Sequence, residues 1–149
     1  MIINHEEGPM KNIGQNPDVQ NELKYNVNKT KIAWIVSHCH TTSDREGYVQ
    51  ELQKYISVDI FGNCGSHKCA HWNCLESLSK NYMFYLSFEN SLCKDYVTEK
   101  FFQALSKDIL PIVYGDMNYE DIAPPKSYIN ALHYENPKDL SKQLKVGFI

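Results

Sequence analysis

The sequence lacks a long apolar run, a glycine-rich phosphate loop and any dense block of basic charge. Its longest apolar stretch, Ile32 to Val36, falls far short of the ~20 residues that cross a bilayer. The opening residues MIINHEEGPMKN show no basic segment followed by an apolar one, so no targeting signal is visible in this chain. The 15 Lys and Arg residues are dispersed and the formal net charge is −3, which argues against a nucleic-acid partner. Neither the dinucleotide nor the P-loop glycine pattern occurs. An Asp-x-Asp pair, which would hold a divalent ion on a diphosphate, is also missing, as is a G-x-S-x-G nucleophile elbow. Internal repeats and low-complexity segments are absent.

What is present suffices for one packed core: 149 residues, 42% hydrophobic and 12% aromatic. Residues 1–30 are polar and rich in Asn, and read as a lead-in or the remnant of a preceding domain. Asn28-Lys29-Thr30 is an acceptor sequon for N-glycosylation. From Lys31 to Ile149 apolar, β-rich stretches alternate with amphipathic ones: KIAWIVSH, a helix from about Ser43, SVDIFG, a Cys-rich loop, YMFYLSFE, a second helix, and ILPIVYG. This alternation, with nearly all-apolar strands, predicts an α/β fold in which helices cover both faces of a parallel sheet.

The helix starts carry their own signals. Ser43-Asp44-Arg45-Glu46 fits a capping box, followed by Val49, Leu52 and Ile56 at helical spacing. Asp95 is the N-cap expected for the second helix, with Val97, Phe101, Ala104 and Leu105 facing the sheet. Tyr96, Glu99, Lys100 and Gln103 would share the opposite stripe. Pro124-Pro125 forces an extended turn, and Pro137 is placed to open a last helix through Leu144.

The stretch FENSLCKDYVTEKFF, residues 88–102, gathers polar side chains where a strand passes into a helix. Ligands of open α/β sheets bind beyond the carboxyl ends of strands. Arg45 is expected in the first turn of one helix and Lys100 in the second turn of another. A cation near a helix N-terminus is unfavourable by ~0.3–1 kcal/mol, so two of them point to a shared anion such as a diphosphate. Arg45 would bind it in bidentate fashion and Lys100 as a point charge. The competing reading pairs Arg45 with Asp44 or Glu46 and Lys100 with Glu99, makes Glu89 and Asn90 turn formers, and leaves Tyr96 as a surface residue.

Cys39, Cys64, Cys69, Cys74 and Cys93 are disulfide candidates, and any four of them can connect in three ways with one left over. Within NCGSHKCAHWNC, Cys64, His67, Cys69, His71 and Cys74 could instead furnish four zinc ligands, although their spacing fits no common finger template. Disulfides, buried thiols and zinc remain open on spacing alone.

The motifs YLSFENS, DYVTEKFF, IVYG and APPKSYI together resemble the donor-binding domain of α1,3-fucosyltransferases, glycosyltransferase family 10, across about Lys31 to Leu144. The five cysteines resemble those of plant and invertebrate core-fucosylating enzymes. The resemblance implies a Rossmann-like fold forming the C-terminal half of a GT-B glycosyltransferase, here cut short at its C-terminus. It implies GDP-fucose as co-substrate, no resident cofactor, at most a non-essential divalent cation, and no protein metal site. By the same resemblance Arg45 and Lys100 neutralise the diphosphate, Glu99 meets the ribose, and Asn90 and Tyr96 position the nucleotide sugar. The implied reaction is inverting transfer of fucose to a GlcNAc hydroxyl of an N-glycan in α1,3 linkage, in the Golgi lumen, by a membrane-anchored enzyme. Its catalytic base and acceptor-reading surface belong to an N-terminal domain that this chain lacks, so transfer by this chain alone is expected to be slight or nil. The sequence departs from the family at His38, where Asn is usual, and at His133-Tyr134, where an acidic-aromatic pair is usual. The alternative is a non-catalytic fragment or a zinc-stabilised interaction module.

Overall fold

The computed structural model describes residues 31–69 and 74–146. The lead-in and Asn28 therefore lie outside the described residues. Five strands, β1 (Ile32–Ile35), β2 (Val58–Phe61), β3 (Phe84–Phe88), β4 (Leu110–Tyr114) and β5 (Ile129–Asn130), form one sheet in the order β2-β1-β3-β4-β5. All pairings are parallel, with Ile32 opposite both Val58 and Phe84, Phe84 opposite Leu110, and Ile112 opposite Ile129. Among the described residues, four α-helices connect or follow them: α1 (Arg45–Leu52), α2 (Cys74–Ser79), α3 (Glu99–Leu105) and α4 (Pro137–Val146).

β3 and β4 are buried at every position, as strands covered on both faces must be. One face packs Trp34, Phe84, Leu86, Phe88 and Ile112 against Val49 and Leu52 of α1 and Leu140 and Leu144 of α4. The other packs Ala33 and Tyr85 with Leu78 of α2 and Ala104 of α3, while Phe101 of α3 meets Val113 and Tyr119. Pro111 sits inside β4 without breaking it. Leu110 donates its N–H to Met83 O at 2.8 Å, so the missing N–H of Pro111 falls on the β5 side, where pairing starts only at Ile112.

Three local expectations are corrected. Asp44, not Ser43, caps α1: it sits at φ 51° and its carboxylate accepts from Gly47 N–H. Glu46 instead accepts from the N–H and hydroxyl of Thr41, both at 2.8 Å. Thr98, not Asp95, caps α3, because Asp95 is held at φ 59° with its N–H donated to Asp116 O at 2.6 Å in a neighbouring loop. Tyr96 consequently precedes the helix rather than lying on its stripe, and Lys100 falls in the first turn. The third is α2, which begins inside the segment read as a Cys-rich loop; six residues are too few to display a helical period.

Candidate donor-nucleotide site

The chain leaves β1 for β2 on one side of the sheet and returns to β3 on the other, so the carboxyl ends of β1 and β3 flank a topological switch point. The loops there, residues 36–44, 89–98 and 115–118, are bonded to one another. Ser43 N–H and the Thr42 hydroxyl both donate to Asn90 O at 3.2 Å. The Ser43 hydroxyl donates to Glu89 O at 2.9 Å, and the Tyr114 hydroxyl donates to Ser43 O at 3.1 Å.

Arg45 is 1% exposed and lies under these loops. Its Nη1 donates to Phe88 O at 2.8 Å and its Nη2 to His38 O at 3.1 Å, while the guanidinium carbon sits 5.5 Å from the Trp34 ring centre. Among the described residues it makes no ion pair, so the expected pairing with Asp44 or Glu46 does not form. The carbonyls of Phe88 and His38 compensate the cation, and its Nε has no hydrogen-bond partner. Burial lowers the Arg45 pKa from its ordinary value, opposed by the fields of Glu46 and Glu89.

The other candidate residues crowd one short segment. Asn90 Oδ1 accepts from the Tyr96 hydroxyl at 3.2 Å. Lys100 is a quarter exposed; its Nζ donates to Thr98 Oγ1 at 3.4 Å and lies 3.9 Å from the exposed Glu99 carboxylate. Arg45 bonds the end of β3 at Phe88 O, whereas Lys100 Nζ bonds the Thr98 hydroxyl, which in turn bonds the carboxylate of Glu89, the residue after Phe88.

Glu89 is not a turn former. It is 0% exposed, its N–H continues the sheet ladder to Tyr114 O at 3.0 Å, and its carboxylate accepts from Thr98 N–H at 3.0 Å and the Thr98 hydroxyl at 2.7 Å. Sequence reasoning missed this anchor, although a Thr directly before a helical Glu-Lys-Phe-Phe is itself an N-cap signal.

Burial pushes the Glu46 carboxyl up, yet the bonds from Thr41 and from its own backbone N–H, with the field of His40, together hold the carboxyl below its ordinary range. Burial raises the Tyr48 phenol to about 12 and raises Tyr119 as well, with Glu89 adding to the latter.

The cysteines resolve into two disulfides, Cys39–Cys64 and Cys69–Cys74, with Cα separations of 5.5 and 5.4 Å. Three sulfurs of the imagined zinc set are thereby bonded to other sulfurs, and no group of three or more metal-type ligands occurs among the described residues. His71 lies outside the described residues. Cys93, a disulfide candidate, is corrected: it is exposed and free, 2.9 Å from the Ser91 hydroxyl on the loop after β3.

A parallel sheet of this order, with polar loops gathered at its switch point, defines a Rossmann-like α/β domain. The chain belongs to glycosyltransferase family 10 (fucosyltransferase), whose C-terminal family model matches residues 25–146. It is 48% identical over 134 residues to glycoprotein 3-alpha-L-fucosyltransferase A of Drosophila melanogaster, covering 85% of this chain and 27% of that protein. It is also 37% identical over 125 residues to GDP-fucose protein O-fucosyltransferase 3 of Xenopus laevis, covering 76% of the chain and 27% of the relative. The crystal structure of an alpha1,3-fucosyltransferase with GDP-fucose shares the fold, with a TM-score of 0.68, 23% identity, and coverage of 95% of this chain and 40% of that one. The chain therefore spans about a quarter of the length of these curated relatives. No helix among the described residues is long and apolar enough to cross a membrane.

Proposed function

We propose that this chain is the donor-binding part of a fucosyltransferase and holds GDP-fucose over the carboxyl ends of β1 and β3. The observation that supports it best is the junction itself: an accessible lysine, an exposed carboxylate and a Tyr96–Asn90 hydrogen bond meet above a buried arginine at the switch point of a family 10 fold. In this reading Lys100 touches the diphosphate and Arg45 adds positive field from below through its unused N–H groups. Glu99 takes the ribose hydroxyls, and Asn90 and Tyr96 orient the nucleotide sugar.

The reaction is an inverting substitution. A carboxylate base in a region outside this chain removes the proton from a GlcNAc hydroxyl of a glycoprotein glycan. That oxygen bonds to fucose C1 as the C1–phosphate oxygen bond breaks, and GDP leaves with the electron pair. Negative charge grows on the departing diphosphate, so Lys100 and Arg45 act most strongly in the transition state. With two protein cations assigned to the phosphates, a divalent ion has at most a non-essential part. The two disulfides fit an oxidising lumen such as the Golgi, and the acceptor and α1,3 linkage follow the naming of the relatives.

Calorimetry with GDP tests the reading. Lys100→Ala should weaken GDP binding by roughly 10-fold to 100-fold, the equivalent of one charged hydrogen bond of ~1.5–3 kcal/mol, with the melting temperature nearly unchanged. A folded wild-type chain with no affinity for GDP would refute it.

A further inference from the structure

The buried carboxylate of Glu89 touches nothing that could be substrate, yet it is connected to the accessible lysine through a single hydroxyl. The Thr98 hydroxyl has one hydrogen and two lone pairs. Its hydrogen goes to Glu89 Oε1 at 2.7 Å, which turns the lone pairs toward Lys100 N–H and Lys100 Nζ, both at 3.4 Å. The second carboxylate oxygen fixes Thr98 N–H at 3.0 Å, so the whole cap is held at two points. Ser87, also 0% exposed, donates to Lys100 O at 3.2 Å and pins the same turn onto β3.

A cap alone does not require a charge: a neutral acceptor would satisfy the Thr98 donors without the desolvation cost of a carboxylate. The surroundings are shaped for this group all the same. A Cβ at Gly115 would lie 3.2 Å from Glu89 Cγ and 2.5 Å from the Tyr119 hydroxyl, so the glycine leaves room for both side chains.

We propose that Glu89 is the positioning residue for the donor-site lysine, orienting Lys100 through the Thr98 hydroxyl. This rests on the donor-site reading above. Glutamine at position 89 keeps the shape but turns an NH2 group toward one of the two Thr98 donors. Because the Thr98 N–H can only donate, the amide oxygen takes it and the NH2 faces the hydroxyl, which then accepts from the amide and has one lone pair fewer for Lys100.

The test compares GDP with guanosine, which lacks the phosphates, on wild type, Glu89→Gln, Thr98→Val and Thr98→Ser, each confirmed folded by its melting curve. Thr98→Val retains the side-chain shape should the Glu89 variant fail to fold. Glu89→Gln and Thr98→Val should each weaken GDP binding by about tenfold and leave guanosine within about twofold, while Thr98→Ser, which keeps the hydroxyl, stays close to wild type. GDP affinity within about twofold of wild type in Thr98→Val, or an equal loss for guanosine and GDP, overturns the inference while leaving the donor reading intact. A wild-type chain that binds no GDP sinks both.

Discussion

Replacing Arg45 by methionine should lower stability sharply, because the guanidinium fastens the end of β3 to the loop after β1. Its bonds to Phe88 O and His38 O each come from a charged donor, worth ~1.5–3 kcal/mol apiece. The Trp34 ring 5.5 Å away adds ~0.5–2 kcal/mol. Two effects oppose this: methionine fills much of the same volume, and removing a buried charge recovers its desolvation cost. The carbonyl of Phe88 is left unsatisfied in the interior, however, and Glu89 loses a nearby positive field. The net loss is about 2–4 kcal/mol, which for a domain of this size lowers the melting temperature by roughly 10 °C. Arg45→Lys should fall between, since one ammonium cannot serve both carbonyls in the fork geometry. Circular dichroism melts of the three proteins at constant pH decide the matter. A methionine variant melting within about 2 °C of wild type would refute the clamp.

Two further outcomes follow from the same contacts. Because Thr41, its own backbone N–H and His40 together hold the Glu46 carboxyl below its ordinary range, its stabilisation is fully present above the unfolded value of about 4.3 and disappears as pH falls through the lower folded value. Glu46→Gln should therefore flatten the acid limb of a melting-temperature curve between about pH 5 and pH 2, and an unchanged limb counts against that assignment. Cys39–Cys64 closes a 25-residue separation and Cys69–Cys74 one of 5; chain entropy then predicts losses of about 3.5 and about 2 kcal/mol on their removal. Urea unfolding of Cys39→Ser/Cys64→Ser and Cys69→Ser/Cys74→Ser should show that order. Alkylation without reduction should label Cys93 alone.

The sequence determined four of the five strands, the parallel α/β arrangement and the polar cluster at a strand end, but not the two-residue β5. Each of these follows from signals spanning a few residues: fully apolar runs at Phe84–Phe88 and Leu110–Tyr114, helical spacing at Val49 and Leu52, and a polar cluster following a buried strand. What each polar side chain holds was decided by the tertiary structure. Arg45 meets a carbonyl 43 positions away and Tyr114 one 71 positions away. The pairing of Cys39 with Cys64 requires the loops after β1 and β2 to lie side by side. Asp95 was the better local cap for α3, yet the bond from its N–H to Asp116 O fixes it in a left-handed turn and leaves Thr98 to cap. Periodicity and capping preference are properties of neighbours along the chain. Burial of a charge and the choice of its partner depend on which segments the sheet brings together, and only the folded arrangement supplies that.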